Sequence, residues 1–146
     1  MKKKGFTLIE ILAVIIILAL LSGIATLTAG RILKNSRKKE AIKQEEILTS
    51  LGETIYTHER ISGGSTSVFK NKVKNNESFY IEINDLKKAG YLEGDIENPN
   101  GDGVCDGTLE YKDKEFKGYI SCPNVYEKTL PTNGDKLEWN VDHWEE

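Results

Sequence analysis

A disproportionate share of the chain's apolar residues lies in its first thirty positions. Residues 6–30 are free of charge except for Glu10, and the uncharged run from Ile11 to Gly30 is twenty residues long. A helix of that length rises about 30 Å at 1.5 Å per residue, which matches the hydrocarbon core of a bilayer. The pattern therefore predicts a membrane-spanning helix at residues 6–30.

Helix-forming residues continue beyond this apolar run. No proline occurs before Pro99, and Ile47, Leu48, Leu51 and Ile55 recur at helical spacing. Residues 31–57 are therefore expected to extend the same helix as an amphipathic segment, whose apolar side covers a sheet. The whole helix would have about fifty residues and a length near 75 Å.

The remainder of the chain, residues 58–146, has the pattern of a small β-rich head. A loop is expected at Ser62-Gly63-Gly64-Ser65, and Phe79, Ile81 and Ile83 alternate with polar residues as in a short strand. A short helix is predicted through Leu86 to Ala89, with Asn84 or Asp85 as its cap and Gly90 as its stop.

A last strand is predicted where Leu137, Trp139 and Val141 alternate with Glu138, Asn140 and Asp142. The tryptophans, including Trp144 in the tail, are read as packing residues rather than as a ligand platform. These elements give an α+β fold in which a long helix packs by its second half on a small antiparallel sheet.

The two cysteines, Cys105 and Cys122, are placed opposite each other by hairpin register. If residues 108–111 and 116–122 pair around a four-residue loop, 112–115, then Tyr111 faces Phe116 and Leu109 faces Gly118. Counting on in steps of two brings Gly107 opposite Ile120 and the cysteines opposite each other, on the apolar face. A disulfide is the first interpretation, and two buried free thiols are the alternative.

Composition favours no catalytic chemistry. The net charge of −3 comes without a basic stripe beyond the anchor, so nucleic acid is not indicated as a ligand, although DNA remains an open partner. His58 and His143 are isolated, and no nucleophile and base pair or phosphate loop is visible. The sequence predicts neither an enzyme nor a cofactor.

One loop is rich in oxygen ligands. It contains Asp95, Asn98, Asn100, Asp102 and Asp106, together with glycines. These residues are weak candidates for calcium because their spacing does not match an EF-hand. A solvated cluster of turn residues is the favoured alternative, and no metal site is predicted.

The residues Lys4-Gly5-Phe6-Thr7-Leu8-Ile9-Glu10 resemble the leader and cleavage motif of type IV prepilins and of the related pseudopilins. The resemblance is highly specific over residues 2–30. A second stretch, 85–92 followed by Asn98-Pro99, is similar to a connector found in pilin and pseudopilin heads.

The resemblance implies a processing pathway. Residues 1–5, with Lys2, Lys3 and Lys4, would be the leader, and a prepilin peptidase would cut between Gly5 and Phe6 and methylate the new amino group of Phe6. It also implies a partner for Glu10, because a carboxylate costs about 2.5–3.5 kcal/mol in hydrocarbon unless it is compensated. That partner would be the charged Phe6 N-terminus of a neighbouring subunit.

The same resemblance implies the location of the chain and its partners. The N-terminus would stay cytoplasmic, with the precursor held in the cytoplasmic membrane lipid, although six bases between Arg31 and Lys43 outnumber the leader lysines. An inner-membrane platform and motor would then extract the subunit into an extracellular filament of other pilin subunits. The implied function is a structural subunit of a type IV pilus or of a secretion or competence pseudopilus, with major and minor roles open.

Two alternatives keep the chain out of filaments. An ordinary secretory signal would be cut after Gly23-Ile24-Ala25 and leave Thr26 as the first residue. A plain single-pass anchor would leave Met1 uncut. In either case the head would be a secreted or membrane-tethered binding domain that never polymerises.

Overall fold

The computed structural model describes residues 7–61, 68–132 and 134–137, apart from the side chains of residues 24–27. Three helices are present in these ranges: α1 at Leu8–Ile61, α2 at Val68–Lys74 and α3 at Ile83–Lys88. The strands are β1 at Phe79–Glu82, β2 at Asp106–Lys112, β3 at Glu115–Ser121 and β4 at Asp135–Lys136. A long N-terminal helix followed by a small sheet confirms the predicted α+β class.

The chain divides into two compact units between Ser36 and Arg37, within α1. In the first unit, every described side chain of α1 is exposed, including the large apolar ones from Leu8 to Leu21. Of the described helices, α1 is long and apolar enough to cross a membrane. Its apolar surface therefore requires lipid or other chains as cover.

The second unit contains a four-stranded sheet in the order β3-β2-β1-β4. Strands β1, β2 and β3 are antiparallel, as predicted, but β4 pairs in parallel with β1 and places Phe79 beside Asp135. The prediction of a wholly antiparallel sheet is therefore wrong, and the sheet is mixed. The parallel pairing follows from the connection between β3 and β4. Strand β3 runs in the same direction as β1, and the segment after β3 carries the chain back to the end of the sheet where β1 begins. Strand β4 therefore starts at that end and runs parallel to β1.

Strand β4 lies just before the segment for which the last strand was predicted. It occupies Asp135–Lys136 and ends beside Leu137, whose backbone N–H donates to the carbonyl of Tyr80 over 2.9 Å. Leu137 is buried, as its place in the apolar alternation indicates. The other residues of the predicted strand, including Trp139 and Val141, lie outside the described residues, as does Trp144.

Helix α1 packs on the sheet through a narrow side. Ala41, Leu48 and Ile55 are buried there at spacings of seven residues, and Gly52 is buried between them. Ile47 was placed in this apolar set by its spacing, but its side chain is 60% exposed on the outward side of the helix. The helix also continues beyond the expected end at residue 57, to Ile61.

The hairpin register agrees with the prediction. Tyr111 pairs with Phe116, Leu109 with Gly118 and Gly107 with Ile120. The loop is shorter than predicted, because Lys112 and Glu115 are themselves paired. The two loop residues, Asp113 and Lys114, both have positive φ, as a type I′ hairpin turn requires.

Two helical details differ from the sequence interpretation. Helix α2 was not predicted, and it supplies the buried Phe69, which stacks on Phe116 with 5.8 Å between ring centroids. Helix α3 begins at Ile83 after an N-cap at Glu82 and has no side-chain cap, so neither Asn84 nor Asp85 caps it. Gly90, with φ of 75°, stands directly after the C-cap Ala89 and stops the helix as expected.

Candidate functional site

Glu10 lies in the first turn of α1 and is held by the residue that precedes the helix. The backbone N–H of Thr7 donates to Oε2 of Glu10 over 3.3 Å, and the Thr7 hydroxyl approaches the same oxygen at 3.4 Å. The Thr7 carbonyl accepts from the N–H groups of Glu10 and Ile11, which closes the first helical turn. This is the acidic half of a capping box, Thr-x-x-Glu.

The capping geometry gives Glu10 a defined direction. Its carboxylate turns back toward the helix N-terminus, where the partial positive charge of the helix dipole favours an anion. One residue separates Thr7 from the Gly5–Phe6 bond of the predicted cleavage site. Gly5, Phe6 and the lysines 2–4 lie outside the described residues.

Beyond Glu10, the helix presents a continuous apolar surface. Leu8 is 88% exposed, and the large apolar side chains from Ile11 to Leu21 are exposed by 52–67%. Polar groups in this stretch are satisfied locally, as where the Ser22 hydroxyl donates to the Leu18 carbonyl over 2.8 Å. The segment therefore suits a nonaqueous environment in every respect except the Glu10 charge.

In the second unit, α1 is fixed to strand β3 by close backbone approach. Gly118 lies under the helix, where a Cβ would come within 2.7 Å of the Glu45 carbonyl and 2.8 Å of the Thr49 nitrogen. The Gly118 N–H donates to the Thr49 hydroxyl over 2.8 Å. Gly52 makes a second close approach, against the ring of Phe116.

Glu45 joins the helix to the segment after β3. Its carboxylate accepts from Nζ of Lys128 at 2.8 and 2.9 Å, from the Tyr126 hydroxyl at 3.1 Å and from the Ile120 N–H at 3.4 Å. Burial alone would lower the pKa of Lys128, but its hydrogen bonds to Glu45 and Tyr126 raise it overall. The bond from the Ile120 N–H to Glu45 and the bond from the Gly118 N–H to Thr49 occupy two N–H groups on the outer edge of β3, which would otherwise be open to pairing with another strand.

The predicted disulfide is present between Cys105 and Cys122. Their Cα atoms are 4.4 Å apart, the spacing of a non-hydrogen-bonded antiparallel pair. Both cysteines are buried. The bond closes the open end of the β2–β3 hairpin, just where the chain turns into the segment that holds Lys128.

The oxygen-rich loop uses many of its ligand candidates in the fold. Asp95 forms an ion pair with Lys87, and Asn98 donates its amide to the Pro123 carbonyl over 2.9 Å. The side-chain oxygens of Asn98 and Asn100 accept backbone N–H groups two residues on, which is the geometry of Asx turns. Asp102 is exposed, and Asp106 is exposed at the start of β2.

Within the described ranges, no three acidic, His or Cys side chains gather at a distance that suits a metal ion. The hydrogen bonds and the ion pair within the loop therefore support its interpretation as a cluster of turn residues. Residues 95–106 stay candidates for calcium, and the solvated turn cluster stays the favoured alternative.

His58 and Tyr91 meet at the other end of the unit. Nδ1 of His58 lies 3.1 Å from the Tyr91 hydroxyl, which donates to the buried carboxylate of Glu59 over 2.8 Å. Burial and the bond to Glu59 raise the pKa of Tyr91 strongly. The group ties the end of α1 to the connector after α3.

Sequence reasoning missed two features of the site. The capping box was visible as Thr7-Leu8-Ile9-Glu10, because Ser or Thr followed by Glu three residues later is a helix start signal. The role of Gly118 was predicted only in part. Its pairing with Leu109 was predicted, but its contact with α1 was not, because that contact depends on where the helix crosses the sheet.

A comparison with protein-family models shows which class of N-terminus this chain has. Residues 1–26 match the prokaryotic N-terminal methylation motif, the signature of type IV pilins and pseudopilins. The chain therefore carries a prepilin-type N-terminus, a substrate signature for prepilin peptidase. Comparison with curated proteins and with solved structures gave no match.

Proposed function

We propose that this chain is a structural subunit of a type IV pilus or a related pseudopilus, made as a membrane-anchored precursor. The observation that carries the proposal is the methylation motif at residues 1–26. The motif includes Glu10, which lies at the start of an exposed apolar helix. Prepilin peptidase would remove residues 1–5 and methylate Phe6. The helix would remain after cleavage, first as the anchor and then as the filament core.

The helix geometry supports this pathway. The described apolar side chains of the first unit are uncovered in the single chain, so burial in a filament would remove a large apolar area from water or lipid contact. The capped Glu10 carboxylate points toward the helix start, where the charged Phe6 amino group of a neighbouring subunit would compensate it. The helix N-terminus would face the cytoplasm before extraction by the assembly motor.

The head supports an extracellular location. A buried disulfide is typical of proteins that leave the reducing cytoplasm. The covered edge of β3 also limits strand pairing between heads, so that assembly would proceed through α1 instead.

Two substitutions test the proposal in the native host. Gly5→Val should block cleavage and leave the full precursor in the membrane. Glu10→Ala should be cleaved normally but should enter filaments poorly, because the neighbouring amino group loses its counter-charge. Filaments of wild-type yield from Glu10→Ala would contradict the charge pairing, and a normal start at Phe6 in Gly5→Val would contradict the cleavage site.

A further inference from the structure

A small cavity lies in the head where β1 and β2 meet α3 and the segment after β3. Its volume is about 240 Å³. Four of its lining residues alternate with core residues that face α1, so they belong to the far side of the sheet: Tyr80, Glu82, Asp106 and Thr108. Sites for drug-sized ligands measure roughly 300–1,000 Å³, so this cavity suits a ligand of a few heavy atoms.

One wall of the cavity carries a buried hydroxyl without a partner. Thr108 is 2% exposed, and its Oγ1 has no hydrogen-bond partner among the described residues. Such an unpaired group costs about 1–3 kcal/mol when it is buried. A valine would suit a strand equally well without that cost. The hydroxyl at this position therefore points to a ligand rather than to packing.

Two carboxylates flank this hydroxyl. Glu82 on β1 lies directly opposite Thr108 in the register of the sheet. Asp106 stands two positions before Thr108 on β2, so its side chain leaves the same side of the sheet about 6.8 Å away. A single polar group between Asp106 and Thr108 can therefore reach both of them.

Only one acid of the cavity lacks a counter-charge. Of the described residues that line it, three are acids: Glu82, Asp95 and Asp106. Glu82 pairs with Lys136 over 2.8 Å, and Asp95 pairs with Lys87. Asp106 is exposed and forms no ion pair with another described residue. A ligand with one positive charge would complement it.

The available groups suit an ammonium ion better than a metal. In the part of the chain that the structure describes, no three acidic, His or Cys side chains gather at a distance for a metal ion. A primary ammonium group needs less, because a carboxylate matches its charge and a hydroxyl oxygen accepts one of its N–H groups. Val104 and Leu130 also line the cavity and offer an apolar surface to an alkyl stem.

We propose that this cavity binds a primary alkylammonium group. The ammonium lies between the Asp106 carboxylate and the Thr108 hydroxyl, and the alkyl stem lies against Val104 and Leu130. A free amine and a lysine side chain of another chain both present this group. The site belongs to the head alone, so it does not depend on whether the chain enters a filament.

Titration with small probes tests the chemistry of the site. The full chain in nonionic detergent is titrated with n-butylammonium, and the amide NMR shifts of residues 106–108 are followed. We expect saturable shifts, with roughly tenfold weaker binding of n-butanol, which lacks the charge, and of tetramethylammonium, which lacks an N–H donor. Shifts that do not saturate, or equal binding of n-butanol, would overturn the proposal.

Two variants test the assigned residues. Asp106→Asn and Thr108→Val should each weaken n-butylammonium binding roughly tenfold. Thr108→Val should also keep or raise the thermal unfolding midpoint, because it removes an unpaired buried hydroxyl. A lower midpoint with unchanged binding would show a structural hydroxyl and overturn the assignment. Glu115→Gln is the matched control for charge: Glu115 is exposed on the same side of the sheet, at the turn end of the hairpin, and its loss should not alter binding.

Two further probes separate the sources of the ammonium group. Nα-acetyl-lysine N-methylamide represents a lysine within a chain, and putrescine represents a free amine. Tighter binding of the lysine derivative assigns the site to a lysine of another chain, whereas tighter binding of putrescine assigns it to a free amine. Either result supports the site, and failure of both probes to bind would count against it.

Discussion

The backbone N–H of Gly118 in β3 donates to the hydroxyl of Thr49 in α1, and the two elements approach so closely that no side chain fits between them. The contact fixes the point where the helix crosses the sheet. It also explains why a glycine stands in a strand that otherwise alternates apolar and polar residues.

Substitution of this glycine should destabilise the head. In Gly118→Ala the added Cβ would press on backbone atoms of α1, which cannot rotate away, so we expect a loss of about 3 kcal/mol in the free energy of unfolding. Urea unfolding of the full chain in detergent, followed by circular dichroism, measures it. Gly30→Ala is the matched control, because nothing lies within 4 Å of its added Cβ, and it should be neutral or slightly stabilising.

The disulfide should contribute to the same unfolding free energy. The cysteines are separated by 17 residues, and closing a loop of this size is worth about 3 kcal/mol in the chain-entropy model. The Cys105→Ser/Cys122→Ser variant should therefore unfold at lower urea concentration than wild type. Reduced wild-type protein should unfold close to the variant, and identical midpoints for oxidised and reduced protein would show that the bond is not stabilising.

Alkaline pH should weaken the tie between α1 and the connector. The folded state raises the pKa of Tyr91, by burial first and then by its bond to Glu59, so it favours the neutral phenol. The resulting stability is fully present below the unfolded pKa, near 10, and is lost as pH rises toward the folded value.

The test compares thermal unfolding at several pH values above and below 10. Tyr91→Phe removes the titrating group, so its stability should fall less steeply above pH 10 than that of wild type. At pH 8 the variant should lose about 1 kcal/mol with the hydrogen bond. Parallel pH profiles for the two proteins would contradict the assignment.

The capping box should stabilise the first turn of α1 in the membrane. Glu10→Gln keeps an acceptor oxygen for the Thr7 N–H but removes the charge, whereas Glu10→Ala removes both. Amide exchange at residues 8–11 in lipid nanodiscs should therefore be faster in Glu10→Ala than in Glu10→Gln. Equal exchange in wild type and both variants would show that the cap is not formed in lipid.

Much of the fold could be predicted because it depends on periodicity. The twenty-residue uncharged run indicated the apolar helix, and alternation fixed the hairpin register tightly enough to pair Cys105 with Cys122. A slip of one residue would have exposed Leu109 and Ile120, so the burial pattern permits only one register.

The features that sequence reasoning missed depend on tertiary context. The turn closed at Asp113 and Lys114 without glycine, although a type I′ turn normally favours it. The parallel pairing of β4 depends on the path of the preceding segment, and the outward position of Ile47 depends on which side of α1 the sheet covers. Helical spacing alone could not separate Ile47 from Leu48, because neighbouring residues differ by only 100° around the helix.

The central claim is that the chain is processed as a prepilin, and the mass of its mature N-terminal peptide tests this most directly. The protein is purified from its native envelope and analysed by intact mass and peptide sequencing. The account predicts a chain that starts at N-methylated Phe6. A chain that starts at Met1 or at Thr26 would contradict it and would indicate a tethered or a secreted domain.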